Sequence, residues 1–94
     1  KVKFFGIFRH VAGKEETSVS LEADADLLKL VDELDCLCDG KFKDLVVDPS
    51  IGTPRPEALV LIDGIDFRNL CGMHTPLKDT KYPIVFIPFT GGGR

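Results

Sequence analysis

One long segment of this 94-residue chain has apolar residues at the spacing of a helix, and the presence of a single long helix restricts how the rest of the chain can fold. Its apolar residues recur at intervals of three and four, which predicts an amphipathic helix. They are Leu27, Leu30, Val31, Leu34 and Cys38. Asp24 or Asp26 is suited to cap the start of this helix, and Gly40 is suited to end it. One helix covers only one face of a sheet, so if the remaining elements are strands, the chain is an α+β domain.

The segments before the helix have strand patterns. Residues 2–9 are rich in aromatic and β-branched side chains and predict a first strand, with Val2 and Phe4, then Gly6 and Phe8, on one face. Residues 17–22 alternate between apolar and polar side chains and predict a second strand. A short polar connection that contains a glycine joins the two, so we expect a hairpin.

The segment after the helix is the least regular part of the chain. Phe42 and residues 45–47 are apolar and predict either a turn of helix or a short apolar anchor under a loop. Residues 49–56 then contain three prolines and a glycine, which interrupt any regular element.

The last third of the chain returns to strand patterns. Residues 58–62 form a continuous apolar run, consistent with a strand buried on both faces. The Asp63-Gly64 pair predicts a tight turn into a second hairpin. Residues 82–89 predict a final, strongly apolar strand, which begins only after Pro83 because proline lacks the backbone donor.

The first and last strands are the most apolar, which suits central positions in a sheet. If they are parallel neighbours, the helix lies in the crossover between the two halves of the chain. This arrangement is a β-grasp, a mixed sheet of four to five strands with one main helix on one face. We therefore predict a β-grasp domain over residues 1–90 and a flexible glycine-rich tail over residues 91–94.

The tail itself carries a functional prediction. The chain ends in Gly91, Gly92, Gly93 and Arg94, directly after the final strand. Glycine loses more conformational freedom on ordering than any other residue, so such a tail contributes little to a fold. It is useful where backbone passes through a narrow channel, or where a terminal carboxylate must be reached without a nearby Cβ. The alternative is a frayed terminus, which is common at the ends of domains.

Composition excludes several other classes of function. The net charge of −3 argues against a nucleic-acid-binding protein, which would normally carry a basic stripe. No apolar stretch approaches the roughly 18 residues that cross a membrane, and we expect no signal peptide because a strand pattern begins at once. The three cysteines show no metal-ligand spacing, and buried or incidental thiols in a reducing cytoplasm are the better interpretation. No catalytic triad, phosphate-binding loop or metal-ligand set is visible, so we expect no catalytic and no metal site.

Several segments, taken in order, resemble the MoaD/ThiS sulfur-carrier family of ubiquitin-like proteins. Residues 2–9, followed by Ala12-Gly13, are similar to the opening strand and turn of that family, and residues 59–64 to its middle strand. Residues 75–79 resemble the approach to its last strand, and residues 86–92 resemble its closing strand, proline and diglycine.

The resemblance implies a carrier rather than an enzyme. In this family an E1-like adenylyltransferase uses ATP to adenylate the terminal glycine carboxylate, and sulfur then converts it to a thiocarboxylate. In the molybdopterin branch, which this chain resembles most, the tail enters the large subunit of molybdopterin synthase and donates sulfur. No cofactor is expected to be bound by the chain itself.

The same resemblance implies which residues matter. Gly91, Gly92 and Gly93 would form the sulfur-carrying, adenylated terminus. Arg9 follows the first strand where family members carry a basic residue that contacts the partner, although a solvated surface charge is an equal alternative. Independently of the resemblance, Phe5, Ile7 and Phe89 are expected to form an exposed apolar patch that docks the activating enzyme and the acceptor, since interfaces favour aromatic residues. Thr90 is the remaining expected partner contact. Phe4 and Phe86 are expected in the core because alternation directs them inward.

Two departures from the family leave alternatives open. Gly93 and Arg94 follow the diglycine, so either a peptidase removes them before activation or the ending has diverged. Residues 79–83 lack the family's usual Asp-Gly-Asp turn. The function could also be a ubiquitin-like modifier joined to lysines of other proteins, a sulfur carrier for thiamine or tRNA thiolation, or an interaction module whose tail is inert.

Overall fold

The computed structural model describes residues 1–88. The predicted contacts at Phe89 and Thr90 and the predicted tail over residues 91–94 therefore lie outside the described residues. In chain order, the regular elements are β1 (Val2–Phe4), α1 (Gly6–Ala12), β2 (Glu16–Thr17), α2 (Leu27–Leu37), α3 (Lys43–Val46), β3 (Val47–Asp48), β4 (Thr53–Pro54), β5 (Ala58–Ile62), β6 (Ile65–Asp66) and β7 (Ile84–Pro88). Two turns of 3-10 helix, Phe67–Asn69 and Gly72–His74, lie between β6 and β7.

The main sheet has the topology that the sequence predicts. Its strand order is β2-β1-β7-β5-β6, with β1 and β7 as parallel neighbours and every other pair antiparallel. The two parallel strands are the first and last of the chain, so α2 lies in the crossover that connects them. The β-grasp prediction is confirmed. A separate two-stranded ladder, β3 with β4, lies in the irregular segment after α2.

One face of the sheet is buried beneath the helices. Its residues form a single hydrophobic core with the apolar side of α2, where Leu27, Leu30, Val31 and Leu34 are buried as predicted. From the sheet, the buried residues are Val2, Phe4, Ala58, Val60, Ile62, Ile84 and Phe86. The prediction that β5 is buried on both faces is wrong, because Leu59 and Leu61 are only half-buried and lie outside that core.

The first strand is shorter than predicted. It stops at Phe4, and the next residues form the helix α1, so the expectation of a strand over residues 2–9 is wrong in its second half. Gly6 explains the change, because its φ of +57° turns the chain out of the extended conformation. Phe8 is still buried, but it reaches the core from a helix rather than from strand alternation.

The second strand is also short. β2 contains only Glu16 and Thr17, because Thr17 already pairs with Val2, the first residue of β1. The predicted strand over residues 17–22 is therefore wrong beyond Thr17. The later predictions are confirmed: Asp63 and Gly64, both at positive φ, form the turn between β5 and β6, and β7 begins directly after Pro83.

The segment after α2 is anchored by an aromatic residue. Phe42 is fully buried, and its ring lies 5.2 Å from that of Phe86 and 5.6 Å from those of Phe4 and Phe8, measured between centroids. Asp35 on α2 accepts the backbone N–H groups of Phe42 and Lys43 at 3.0 and 2.8 Å, which fixes the start of α3. Both sequence alternatives, an apolar anchor and a turn of helix, are thus realised together.

Asp26 caps α2, as the sequence allows. Its side chain accepts the backbone N–H of Lys29 at 3.0 Å, and this bond, followed by the smaller effect of His74 at 3.2 Å, lowers the pKa of the Asp26 carboxyl. Within residues 1–88, no helix has the length and apolar character needed to cross a bilayer.

We predict that Asp26→Ala lowers the free energy of unfolding by about 0.5–2 kcal/mol, because the capping bond is lost. Asp26→Asn keeps an acceptor and is the matched control.

The same two variants test the charge of Asp26. Because folding lowers the pKa of its carboxyl, the ionised carboxylate stabilises the fold above the unfolded pKa. This stabilisation is lost as the pH falls through the folded pKa. Thermal unfolding between pH 7 and pH 2 should show a smaller acid destabilisation in both variants than in the parent. An unchanged pH dependence in Asp26→Asn would contradict the assigned role of the charge.

Candidate functional site

The candidate site is the end of β7, from which the C-terminal segment continues. β7 lies between β1 and β5, so it is held by ladders on both sides. Two further bonds tie it to the beginning of the chain: Ile84 N donates to Lys1 O at 2.9 Å, and Phe5 N donates to Phe86 O at 3.0 Å. Hydrogen bonds to neighbouring segments therefore hold β7, the strand that ends at Pro88, in place.

The start of α1 packs directly on Pro88. A Cβ added to Gly6 would overlap with Cγ of the Pro88 ring, so only a residue without a side chain allows this approach. Gly6 thus serves two purposes, because its positive φ also ends β1. This contact was not predicted from the sequence, since the two residues are 82 positions apart and no local pattern connects them.

The predicted partner residues near the beginning of the chain lie around this contact. Phe5 and Ile7 flank Gly6 in the sequence, and each exposes 45% of its surface although both are large and apolar. Arg9 is also exposed and follows Phe5 by one helical turn on α1. We call Phe5, Ile7, Arg9 and Pro88 the tail-root surface. Their roles in binding stay predictions, as do those of Phe89, Thr90 and the glycines.

A groove of about 380 Å³ adjoins the tail-root surface. Its lining combines apolar residues with charged ones: Ile7, Phe8, Leu45 and Pro88, and Asp44, Arg55 and Glu57. This groove was not predicted from the sequence, because it forms where α3 and the loop before β5 lie beside α1, and Phe42, just before α3, packs on Phe8 of α1. Arg55 is fixed there, since its side chain donates to Asp44 O.

The face of the sheet turned away from the helices forms a second apolar surface. Leu59 pairs with Ile87, and Leu61 pairs with Val85, so four half-buried aliphatic side chains lie together on β5 and β7. Lys3, opposite Val85 on β1, adds a positive charge at the side. We call these five residues the outer sheet face. The sequence did contain the signal, an unbroken apolar run, but the run was interpreted as burial on both faces.

The cysteines and possible metal ligands of residues 1–88 lie as follows. Of the two alternatives for the thiols, buried or incidental, burial does not apply to Cys36 and Cys71, which are exposed, whereas Cys38 is half-buried. Burial, followed by the charges of Asp35 and Asp39, raises the pKa of the Cys38 thiol, so it is less reactive than an ordinary cysteine. Among residues 1–88, no three His, Cys, Asp or Glu side chains are grouped so that they could hold a metal ion.

The chain is similar to known proteins in both sequence and structure. The chain is 32% identical over 92 residues to small archaeal modifier protein 3 of Haloferax volcanii, covering 98% of this chain and 97% of the relative. The solution structure of small archaeal modifier protein 1 from Methanosarcina acetivorans superposes with a TM-score of 0.77 at 26% identity, covering 98% of this chain and 93% of that one.

A second solved structure has the same fold. The crystal structure of small archaeal modifier protein 1 from Haloferax volcanii superposes with a TM-score of 0.66 at 20% identity, covering 97% of this chain and 94% of that one. No family model matches the chain.

Proposed function

Because the chain belongs to the family of small archaeal modifier proteins, ubiquitin-like β-grasp proteins related to the MoaD and ThiS sulfur carriers, we propose that its C-terminal glycine is the group that is activated and transferred. Small ubiquitin-like modifiers are generally non-catalytic carriers. The observation that carries the proposal is that the glycine segment closely follows a central strand. β7 is paired on both sides and ends at Pro88, and Gly92 comes four residues later in the sequence.

The chemistry requires an activating partner. A carboxylate is a poor electrophile, so an E1-like enzyme lets the terminal carboxylate attack the α-phosphorus of ATP, which releases pyrophosphate and leaves an acyl-adenylate. A nucleophile then attacks the carboxyl carbon and expels AMP. Hydrosulfide as the nucleophile gives a thiocarboxylate, whereas a lysine amine, reached through the activating enzyme, gives an isopeptide. Glycine suits both outcomes because it has no side chain to hinder attack.

Two acceptors are supported by different observations. The relatives are called modifier proteins, which favours conjugation to lysines of target proteins. Among the sulfur carriers the chain resembles the molybdopterin branch most, which favours sulfur donation to the large subunit of molybdopterin synthase. The activated glycine is common to both, and the cytoplasm, where ATP is available, is the compartment in which either would occur.

Docking of the activating enzyme is assigned to surfaces that surround the end of β7. The outer sheet face and the exposed rings and aliphatic groups of the tail-root surface are apolar and accessible, and such patches on small proteins mark interaction sites. Arg9 supplies a cation beside them, and Arg with aromatic residues is enriched in interfaces. The same surfaces would then meet the acceptor after activation, because one tail visits both partners in turn.

The proposed maturation is the removal of residues that follow the diglycine, Gly93 and Arg94. In a chain that ends at Arg94, the terminal main-chain carboxylate is that of a residue with a long cationic side chain instead of a glycine. A peptidase that removes Arg94, or Gly93 and Arg94 together, would place the carboxylate on Gly93 or Gly92.

The proposal is tested with three forms of the chain that end at Gly92, Gly93 and Arg94. Each is incubated with an archaeal E1-like enzyme and ATP, and the exchange of radioactive pyrophosphate into ATP is measured. We expect at least one glycine-ending form to be active and the Arg94-ending form to be at least about 100-fold slower, since a site shaped for glycine excludes a larger residue. A form that ends at Pro88 is the negative control.

Each outcome decides a separate part of the proposal. Exchange by none of the three forms would overturn glycine activation, whereas equal exchange by all three would overturn maturation alone. Intact-mass analysis of the chain from its native cells then identifies the acceptor chemistry. Replacement of one oxygen by sulfur indicates the thiocarboxylate, and glycine remnants on lysines of other proteins indicate conjugation.

A further inference from the structure

The side chain of Arg68 is bound to main-chain carbonyl groups of the loop before β5. Arg68 lies in the 3-10 turn that follows β6. Its Nη2 donates to the carbonyl oxygens of Arg55 and Ala58 at 2.7 Å each, and Pro56 O lies 3.3 Å from the same nitrogen. Ala58 N also donates to Arg55 O at 3.1 Å. Residues 55–58 therefore form a closed turn whose carbonyl groups converge on one guanidinium group.

Two neighbours keep the guanidinium group in this place. Oδ1 of Asp66 lies 3.6 Å from Nη1 of Arg68 and also accepts the backbone N–H of Arg68 at 2.9 Å. The guanidinium carbon lies 4.8 Å from the centroid of the Phe67 ring, which is fully buried. Asp66 offsets the charge of Arg68, and the Nη2 donors are directed at the carbonyl groups of this chain. The geometry thus favours a role inside the fold over the binding of an external anion.

The pairing of β7 shows why Ala58 depends on this support. Phe86 O accepts from Phe5 N, on the β1 side of β7. Because alternate residues of a strand direct their main-chain groups to opposite sides, Ile87 faces β5 and Pro88 faces β1 again. Pro88 lies opposite Ala58, so the two residues exchange no main-chain hydrogen bond, and the proline has no N–H to donate on either side.

By the same alternation, Ala58 directs its main-chain groups away from β7, towards the side of β6. β6 does not extend that far, because its last residue, Asp66, lies opposite Leu61. The place of a strand is taken there by the side chain of Arg68, which binds Ala58 O, and by the turn, which binds Ala58 N. Both main-chain groups of Ala58 are thus fixed by the guanidinium group or by the turn that it closes.

Pro88 is therefore positioned by packing on both sides. On the α1 side, Gly6 approaches the proline ring so closely that a Cβ would overlap with it. On the β5 side, Ala58 is buried, and directly opposite residues that exchange no main-chain bonds have Cα atoms only about 4.5 Å apart. The turn that ends at Ala58 also supplies Arg55 and Glu57 to the groove beside the tail-root surface. A shift of this turn would therefore move the neighbours of Pro88.

We propose that Arg68 is a positioning residue for the activation of the glycine segment. It holds the turn and Ala58, these hold Pro88, and the direction of the chain at Pro88 sets where the terminal carboxylate lies in the activating enzyme. This inference rests on the proposed function. Arg68 acts through other residues and does not touch the reacting carboxylate. A misplacement of about 1 Å can cost a reaction about 100-fold in rate, so loss of Arg68 should lower the rate at saturation. The outer sheet face is unchanged, so docking should persist.

The test compares variants of the glycine-ending form in pyrophosphate exchange with an archaeal E1-like enzyme, over a range of concentrations of the chain. Arg68→Met keeps an apolar stem but removes every donor, and we expect kcat to fall at least about tenfold while KM for the chain changes less than about threefold. Arg68→Lys keeps the charge but has no planar fork, so its kcat should fall at least about threefold. Asp66→Asn is the matched control: it removes the ion pair and leaves the carbonyl bonds, so its kcat should stay within about twofold of the parent.

A second measurement needs no activating enzyme. In ¹⁵N-labelled Arg68→Met, or in Arg68→Lys if the first variant does not fold, the amides of Ala58 and Ile87 should shift, whereas those of α2 should not. All rates are measured at a temperature where circular dichroism shows the variant to be folded. Asp26→Ala, which weakens the fold at the start of α2, should exchange at the rate of the parent and shows that lost stability alone does not lower kcat.

The outcomes separate this inference from the proposed function. A parent chain without exchange would overturn the proposed function, and the amide shifts would then decide by themselves whether Arg68 holds the end of β7. With an active parent, an unchanged kcat in Arg68→Met, a rise in KM alone, or an equal loss of kcat in Asp26→Ala would overturn the positioning role. Unchanged amides of Ala58 and Ile87 would overturn it in either case.

Discussion

Replacing Phe42 with Ala is expected to remove about 3–5 kcal/mol from the free energy of unfolding, the usual cost of a buried phenylalanine. Phe42 is fully buried and packs against the rings of Phe4, Phe8 and Phe86, which come from β1, α1 and β7. A single side chain of the irregular segment therefore holds together the elements that position Pro88. Small domains have total stabilities of about 5–15 kcal/mol, so the variant should be partly unfolded at growth temperature.

The measurement is chemical denaturation followed by circular dichroism. Phe42→Leu keeps most of the apolar volume and should cost less than half as much, which shows that the loss in Phe42→Ala reflects the cavity. Tyr82→Ala is the exposed aromatic control, because Tyr82 leaves 68% of its surface in solvent and should change stability by less than about 0.5 kcal/mol. A loss of less than about 1 kcal/mol in Phe42→Ala would show that the aromatic cluster does not hold the fold together.

The position of Phe42 illustrates what the sequence could predict. Its apolar character and that of its neighbours indicated an anchor under a loop, and the helical period of α2 identified one buried face without further information. Likewise, the Asp63-Gly64 pair predicted a hairpin because local chemistry decides a two-residue turn. These predictions depend on residues close together in the sequence, and all were confirmed.

The errors arose where distant residues decide the structure. Strand alternation from Val2 to Phe8 is compatible with a strand, but the positive φ of Gly6 and its packing on Pro88 convert residues 6–12 into a helix. The length of β2 is limited by β1, which begins at Val2. In β5, an apolar run of five residues did not reveal that one of its faces remains without a helix over it. Each case requires a contact that no local pattern encodes.

The candidate site also contains some features that the sequence could predict and others that depend on residues distant in the sequence. Phe5 and Ile7 were predicted to lie in an exposed apolar docking patch, and Arg9 was chosen from the resemblance. The structure brings Phe5 and Ile7 to the end of β7 as exposed side chains, and the binding roles of all three stay predictions. The contact between Gly6 and Pro88, which brings them there, was not identified, because it joins the two ends of the chain. The groove beside it forms where α3 and the loop before β5 lie beside α1, and these segments are equally remote in the sequence.

Gly6→Ala is expected to cost about 2–5 kcal/mol, from two separate causes. A left-handed conformation costs a residue with a side chain about 1–2 kcal/mol, and overlap with the Pro88 ring adds about 1–3 kcal/mol. Gly13→Ala is the matched control, because Gly13 also has a positive φ, +76°, but a Cβ there meets nothing within 4 Å. Denaturation of both variants separates the backbone cost from the cost of the contact.

A double-mutant cycle then attributes the second part to Pro88. The shorter side chain in Pro88→Ala removes the ring atom that a Cβ on residue 6 would overlap, so Gly6→Ala should cost less in that background by at least about 1 kcal/mol. Equal costs in both backgrounds would show that the ring is not the obstacle.

Because Pro88 precedes the glycine tail, pyrophosphate exchange with the glycine-ending form of Gly6→Ala reports whether the contact between residue 6 and Pro88 also directs the tail. An exchange rate reduced at least about tenfold at a temperature where the variant is fully folded would assign that role to Gly6, since misplacing the reacting group costs rate even when the site is intact.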